Sequence, residues 1–146
     1  MAKIKASVIY KDHTKQATSE VTKFIDRAVR KSAFQMERDI KEVATQVIYK
    51  RTKKQQGVKE KYKRTGNLRR SIRAVTEGLP FGSAEVGVNP VREGADTNYA
   101  IHLEYGTKYI TPRAFMRKGI GRAKKKIPKI FADEAKRAKD NVRAGK

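Results

Sequence analysis

The sequence predicts an α+β protein, a small, mainly antiparallel sheet packed against a long N-terminal helix and C-terminal helices. Three observations lead there. Apolar residues from Val21 to Ile48 recur at steps of one, three or four, the period of an amphipathic helix. Two alternating segments flank a Gly- and Pro-containing turn within residues 71–88, as in a hairpin of half-buried strands. Helical spacing then returns from Phe115 to Val142.

The 146 residues suit one domain, 1–146, with a single modest core. A hydrophobic content of 38% against 35% charged is lean, so part of the chain is expected to lie outside the core or to be ordered by partners.

Taken in order, Ile4, Ala6, Val8 and Tyr10 alternate along "IKASVIY", a half-buried strand over 4–10. A polar link, "KDHTKQAT", comes next. Thr18 or Ser19 then offers an N-cap, with Glu20 in the first turn. The apolar series Val21, Phe24, Ile25, Ala28, Val29, Ala33, Met36, Ile40, Val43, Ala44, Val47 and Ile48 makes a helix of about thirty residues, on the order of 45 Å long. It holds no Gly or Pro, and its near-balanced charge suits a strut packed by partners better than a DNA-reading helix.

Residues 50–64, "KRTKKQQGVKEKYKR", lack an apolar period and read as an exposed, mobile basic loop. In "TGNLRRSIRAVTEG", Thr65 or Asn67 caps a short turn through Leu68, and a strand over 71–77 points Ile72 and Ala74 inward. "GLPFGS" is a six-residue connection to a second strand over 84–88. "NPVREGADTN" is a loop that leaves Asn98 to cap the next element.

The next segment, "YAIHLEYGT" at residues 99–107, fits two conformations. As a strand, Tyr99, Ile101, Leu103 and Tyr105 alternate against Ala100, His102, Glu104 and Gly106. As a helix, Asn98 caps it, Tyr99 meets Leu103, Ile101 meets Tyr105, and Gly106 ends it in a left-handed conformation. Pattern favours the strand and cap chemistry the helix. Such a helix, apolar on most of its circumference, needs protein around it.

Thr111 precedes Pro112 and should be extended, so a short strand is expected over 108–110. Helical spacing runs through Phe115, Met116, Ile120, Ala123 and Ile127, and resumes through Ile130, Phe131, Ala135, Ala138 and Val142. Pro128 should break or kink this path unless it begins a second helix. Gly119 and Gly121 weaken its first half, and residues 129–146 read as a basic C-terminal helix or tail.

The net charge of +21 is concentrated. Residues 50–73 carry eleven Lys or Arg against Glu60, a net of +10. Residues 117–146 carry twelve against Asp133, Glu134 and Asp140, a net of +9, whereas 74–116 net −2. A phosphate-facing surface has this distribution, and so does a solvated lysine-rich face. The candidate DNA-facing residues are Lys50, Arg51, Lys53, Lys54, Lys59, Lys61, Lys63, Arg64, Lys124, Lys125 and Lys126.

No cysteine is present, which rules out disulfides and thiolate metal sites. No segment approaches the roughly 18 apolar residues of a membrane span, and "MAKIKASVIYKD" has no apolar signal core. A soluble, unsecreted protein without membrane contact is expected. The histidines are His13, in a polar link, and His102. A metal site would need His102 with Glu104, which share a face on a strand but lie about 200° apart on a helix. No nucleotide-binding or zinc-hydrolase motif occurs. No enzyme and no cofactor is expected.

Three motifs in order, "TGNLRRSI" at 65–72, "YAIHLEYGT" at 99–107 and "PRAFMRKGI" at 112–120, resemble a family of long-tailed bacteriophage virion proteins. These are neck or tail-completion components, also described as minor tail components. The resemblance covers about residues 18–130. It departs at Ala114, where the family often has a second Pro, and near Lys118 and Gly119, where the family often has Pro-Ala. It implies a ring-forming structural subunit of the virion, at the neck or tail end. The partners it implies are further copies of the chain, head-completion or connector proteins, and tail-terminator or tail-tube proteins. The virion, after assembly in the host cytoplasm, is the location it implies. Its structural signature maps to Thr65, Gly66, Leu68, Tyr99, Glu104, Tyr105, Gly106, Thr107, Pro112 and Phe115, with the aromatic cluster available to a subunit interface. Glu104 is placed to bond backbone donors or Arg113.

A ring around a DNA passage would give the basic segments nonspecific phosphate contacts. The competing class is a free-standing nucleic-acid-binding module. It lacks a groove-reading motif, and Tyr62 and Phe131 are the only aromatics in its basic segments.

Overall fold

The computed structural model describes residues 14–49, 66–88 and 99–144. The strand expected over 4–10, the basic loop 50–64, and the caps proposed at Thr65 and Asn98 lie outside them. The elements are α1 (Thr14–Ala44), α2 (Asn67–Ser71), β1 (Ile72–Val75), β2 (Glu85–Val88), α3 (Tyr99–Tyr105) and α4 (Phe115–Arg143). A π-helical turn, Thr45–Tyr49, extends α1.

α1 begins earlier than the cap chemistry suggested. Thr18 does not cap the helix; its hydroxyl donates back to the Thr14 carbonyl at 2.9 Å, and Thr22 repeats this toward Thr18 at 3.1 Å. These bonds accommodate polar side chains inside the first turns, so part of the expected polar link is helical.

β1 and β2 pair antiparallel, with Ile72 opposite Val88 and Ala74 opposite Val86. The strands are shorter than expected and the connection longer, because pairing ends at Val75 and Glu85. The Ala74 N–H donates to Glu37 Oε2 at 2.7 Å and fastens the hairpin to α1. Burial pushes the Glu37 carboxyl up, but hydrogen bonds from Lys41 and the Ala74 amide outweigh it and hold the group below its ordinary value.

α1 and α4 run antiparallel. Asn141 donates to Glu20, Lys31 and Arg27 pair with Glu134, Lys126 pairs with Asp39, and Arg122 reaches Gln46. Phe24 meets Phe131 edge-on, with ring centroids 6.2 Å apart. Gly119 sits at a tight contact between the helices, since a β-carbon there would lie 2.6 Å from Ile40 Cα. Absence of a side chain lets the two backbones approach.

α4 is one helix, neither broken nor restarted at Pro128. Pro128 faces solvent, where water can take the carbonyl its ring leaves unbonded. Ile127, Ile130 and Phe131 stay partly buried on either side. Residues 129–143 are therefore part of α4 rather than a separate tail.

The core gathers Ile40, Val43 and Ala44 of α1, Leu68 of α2, Ile72 of β1, Ala100 of α3 and Phe115 of α4. Each large member contributes roughly 1.5–3 kcal/mol through burial. The three sequence motifs thus share one cluster at the C-terminal end of α1.

Candidate functional site

α3 is a helix, and its two faces have opposite fates. Ala100 and Glu104 are buried, whereas Ile101 is 64% and Tyr105 68% exposed. His102 faces solvent, so it and Glu104 do not converge. Among the described residues, no group of three or more His, Asp or Glu is placed to hold a metal ion.

Glu104 is the anchor. Its Oε2 accepts the Met116 N–H at 2.9 Å, and its Oε1 accepts the Arg117 N–H at 3.2 Å and Arg117 Nε at 3.1 Å. Met116 and Arg117 are the second and third residues of α4, whose amides have no partner within their own helix. A helix usually meets this need with a Ser, Thr, Asp or Asn at its cap. The cap residue here is Ala114, which makes no side-chain bond, and a carboxylate from α3 stands in. Its charge also complements the positive helix end.

Arg113 is not the partner of Glu104. Its N–H donates to the Leu103 carbonyl at 2.8 Å, and its Nη1 donates to the Val47 carbonyl at 2.6 Å. One residue thereby ties the end of α1 to the end of α3.

The chain between α3 and α4 is shaped by local bonds. Gly106 takes φ +83°, and its N–H donates to the His102 carbonyl at 2.8 Å, a left-handed helix end. A side chain there would also meet the Ile110 carbonyl and Pro112 Cδ, both at 2.8 Å. The strand expected over 108–110 is instead a tight turn. Thr107 and Ile110 exchange backbone bonds of 2.9 and 3.3 Å, and Thr107 Oγ1 accepts from the Tyr109 and Ile110 amides. These donors are thus turned inward, away from any neighbouring strand. The turn leaves Tyr109 89% exposed and Ile110 38% exposed.

The remaining signature positions fall around this site. Gly66 precedes α2 with φ +73°, so Asn67 is a helical residue and not the cap. Leu68 and Phe115 are fully buried. Tyr99 and Tyr105 are surface residues, the latter under the Arg117 guanidinium at 5.4 Å. Pro112 abuts Gly106, and Thr65 is outside the described residues.

Of the DNA-facing candidates, Lys50, Arg51, Lys53, Lys54, Lys59, Lys61, Lys63 and Arg64 are likewise outside them. Lys124, Lys125 and Lys126 are exposed on α4. Lys126 is committed inward, with its Nζ 2.6 Å from the buried Asp39. A different set of cations aligns along the solvent side. Lys118, Lys125, Lys129, Lys136 and Arg143 succeed one another at seven, four, seven and seven residues, a single stripe on a 3.6-residue helix. All five are exposed, and the stripe is roughly 37 Å long.

Sequence reasoning missed Arg117, Gly119 and Asp39. Arg117 and Gly119 act across elements, where no local period could mark them, and Gly119 read only as a weak point of its helix; Asp39 is a charged residue beside the apolar Ile40, and nothing local marks it as buried.

Residues 9–106 match a family model described as "Bacteriophage HK97-gp10, putative tail-component". Neither a curated protein nor a solved structure matches the chain.

Proposed function

The chain belongs to the HK97-gp10-like family of bacteriophage tail components, and from that premise we propose that it is a ring-forming neck or tail-completion subunit joining the capsid connector to the tail. The observation that carries this reading is the outer face of α3. Ile101 and Tyr105, with Tyr109 beyond them, form an exposed apolar surface on a helix held rigidly from behind by Glu104. Exposed apolar clusters of this kind serve as protein contacts, and the lean core is consistent with a fold completed by assembly.

The proposed role is structural. Within it, the α4 stripe would give DNA passing through the ring a row of phosphate contacts without base reading. The same stripe, with the basic residues of 50–73, also suits a free-standing nucleic-acid-binding module. Negative-stain images and light scattering separate the two readings. Rings, or binding to tail ends and tail-terminator protein, are expected; a monomer that ignores tails but binds DNA at physiological salt would favour the module.

A further inference from the structure

The geometry points to a head-to-tail contact between copies of this chain, in which the α3 surface of one copy receives the β-hairpin tip of the next. The inference rests on the ring reading and adds the two surfaces that meet. The first surface comprises Ile101, Tyr105, Tyr109 and Ile110. Every exposed formal charge between residues 99 and 118 is positive, from Lys108, Arg113, Arg117 and Lys118. The one acid in that span, Glu104, is buried and already bonded to α4. Arg117 lies over the Tyr105 ring and Lys108 over the Tyr109 ring, so the cations stand on the apolar patch itself.

The second surface has the opposite character. Val75 and Phe81 of the hairpin are 47% and 64% exposed. Residues 74–88 contain no Lys or Arg, and their two charges, Glu77 and Glu85, are exposed acids. In a chain of net charge +21, two copies repel unless such a local match offsets the repulsion.

The surfaces also lie far apart along α1. The hairpin tip rests on the N-terminal half of α1, where a β-carbon on Gly82 would contact Ile25 Cγ2 at 3.4 Å. The α3 surface is tied to the other end of α1 through Arg113 and Val47. Ile25 and Val47 are about 33 Å apart along the helix. Two different, complementary and well-separated surfaces give a heterologous contact, the kind that closes into a ring when the rotation permits. A self-complementary dimer would need one surface to match itself, and neither does in charge.

Sedimentation velocity over a concentration series tests this with two double variants, K108E/K118E and E77K/E85K. These positions avoid the Glu104 cap and the core, and circular dichroism checks that each variant folds. K108E/K118E cancels the net positive charge of the α3 surface, and E77K/E85K makes both surfaces basic, so each alone should associate roughly tenfold or more weakly than the wild type. An equimolar mixture sets the introduced acids against the introduced bases and should recover association, although neither component assembles alone. Wild-type-like assembly of both variants would overturn the inference while leaving a ring built through other surfaces. Unchanged self-association with lost tail binding would assign the α3 surface to a different virion protein and overturn it too. A wild type that remains monomeric, alone and on tails, would remove the ring reading and the inference together. Ile101→Ser and Phe81→Ser give an independent check through the apolar part, and each should weaken assembly without altering the helical signal.

Discussion

The Glu104 carboxylate accepts the Met116 amide at 2.9 Å, so the long helix of the C-terminal half is capped by a side chain from another element. The arrangement couples the orientation of α3 to the start of α4, and with it the display of Ile101 and Tyr105. Replacing Glu104 with Ala would leave two inward-facing amides without a partner and Arg117 without its carboxylate. A loss of about 2–3 kcal/mol is expected in urea unfolding. Glu104→Gln keeps an acceptor and should lose less. Equal losses for the two variants would show that the cap is not what Glu104 contributes.

Gly119 permits a close approach of α1 and α4. Alanine is the better helix former, so at an exposed helical site Gly119→Ala would be stabilising. Here its β-carbon would lie 2.6 Å from Ile40 Cα and 3.0 Å from Ile40 N, atoms that cannot move independently of α1. A loss of about 1–3 kcal/mol is expected. Gly121→Ala, which meets nothing within 4 Å, is the matched control and should be neutral or stabilising in the same thermal melt.

Ala114 takes φ +48°, a left-handed backbone that a proline ring forbids. Installing a proline there should therefore harm the chain. Ala114→Pro is expected to lower stability by more than about 1 kcal/mol, whereas Ala114→Gly relieves the β-carbon and should not. A stable Ala114→Pro variant would mean that the turn into α4 adopts another path.

How much of this was legible depends on whether the signal was local. The 3.6 period of Val21 to Ile48 marked α1, and the alternation of Val86 and Val88 marked β2, because burial on one face writes itself into neighbouring positions. The helix at 99–105 was undecided from pattern, since a short apolar run satisfies both periods; the left-handed Gly106 was its local mark. The Thr107–Ile110 turn hid behind β-prone Tyr109 and Ile110, whose donors are taken by the Thr107 hydroxyl. Pro128 looked like an interruption because its tolerance depends on which side of α4 faces water. Glu104 with Met116, Gly119 with Ile40, and Lys126 with Asp39 are relations across the tertiary structure. The sequence supplied the residue types but not the pairings.

Acid should loosen the α1–α4 contact. A hydrogen bond from Lys31 holds the Glu134 carboxyl below its ordinary value of 4.5 against the opposing effect of burial, with Arg137 and Arg27 adding attraction. Hydrogen bonds from Lys23 and then Asn141 lower Glu20 likewise. Groups with depressed folded-state values bind fewer protons folded than unfolded, so their stabilisation is present above about 4.5 and lost as the pH falls below it. Melting temperature should therefore stay level from these groups between about pH 7 and pH 5, then decline. Glu134→Gln should start lower at neutral pH and decline less steeply. An unchanged acid limb in Glu134→Gln would exclude that carboxylate from the linkage.

The lysines of α4 divide by direction, and the division can be measured. Lys125, Lys129 and Lys136 belong to the outward stripe and, among the described residues, take part in no ion pair. If DNA runs along that stripe, replacing the three with Gln should weaken binding to duplexes of unrelated sequence equally. The dependence of log affinity on log salt should flatten by roughly 0.9 for each phosphate contact removed, with folding stability little changed. Lys126→Gln should behave in the opposite way. Its ammonium compensates Asp39, whose side chain is 1% exposed, so about 1–2 kcal/mol of stability should be lost while the salt slope stays near that of the wild type. If instead Lys126→Gln flattens the slope and the triple variant does not, the DNA-facing side of α4 is not the stripe.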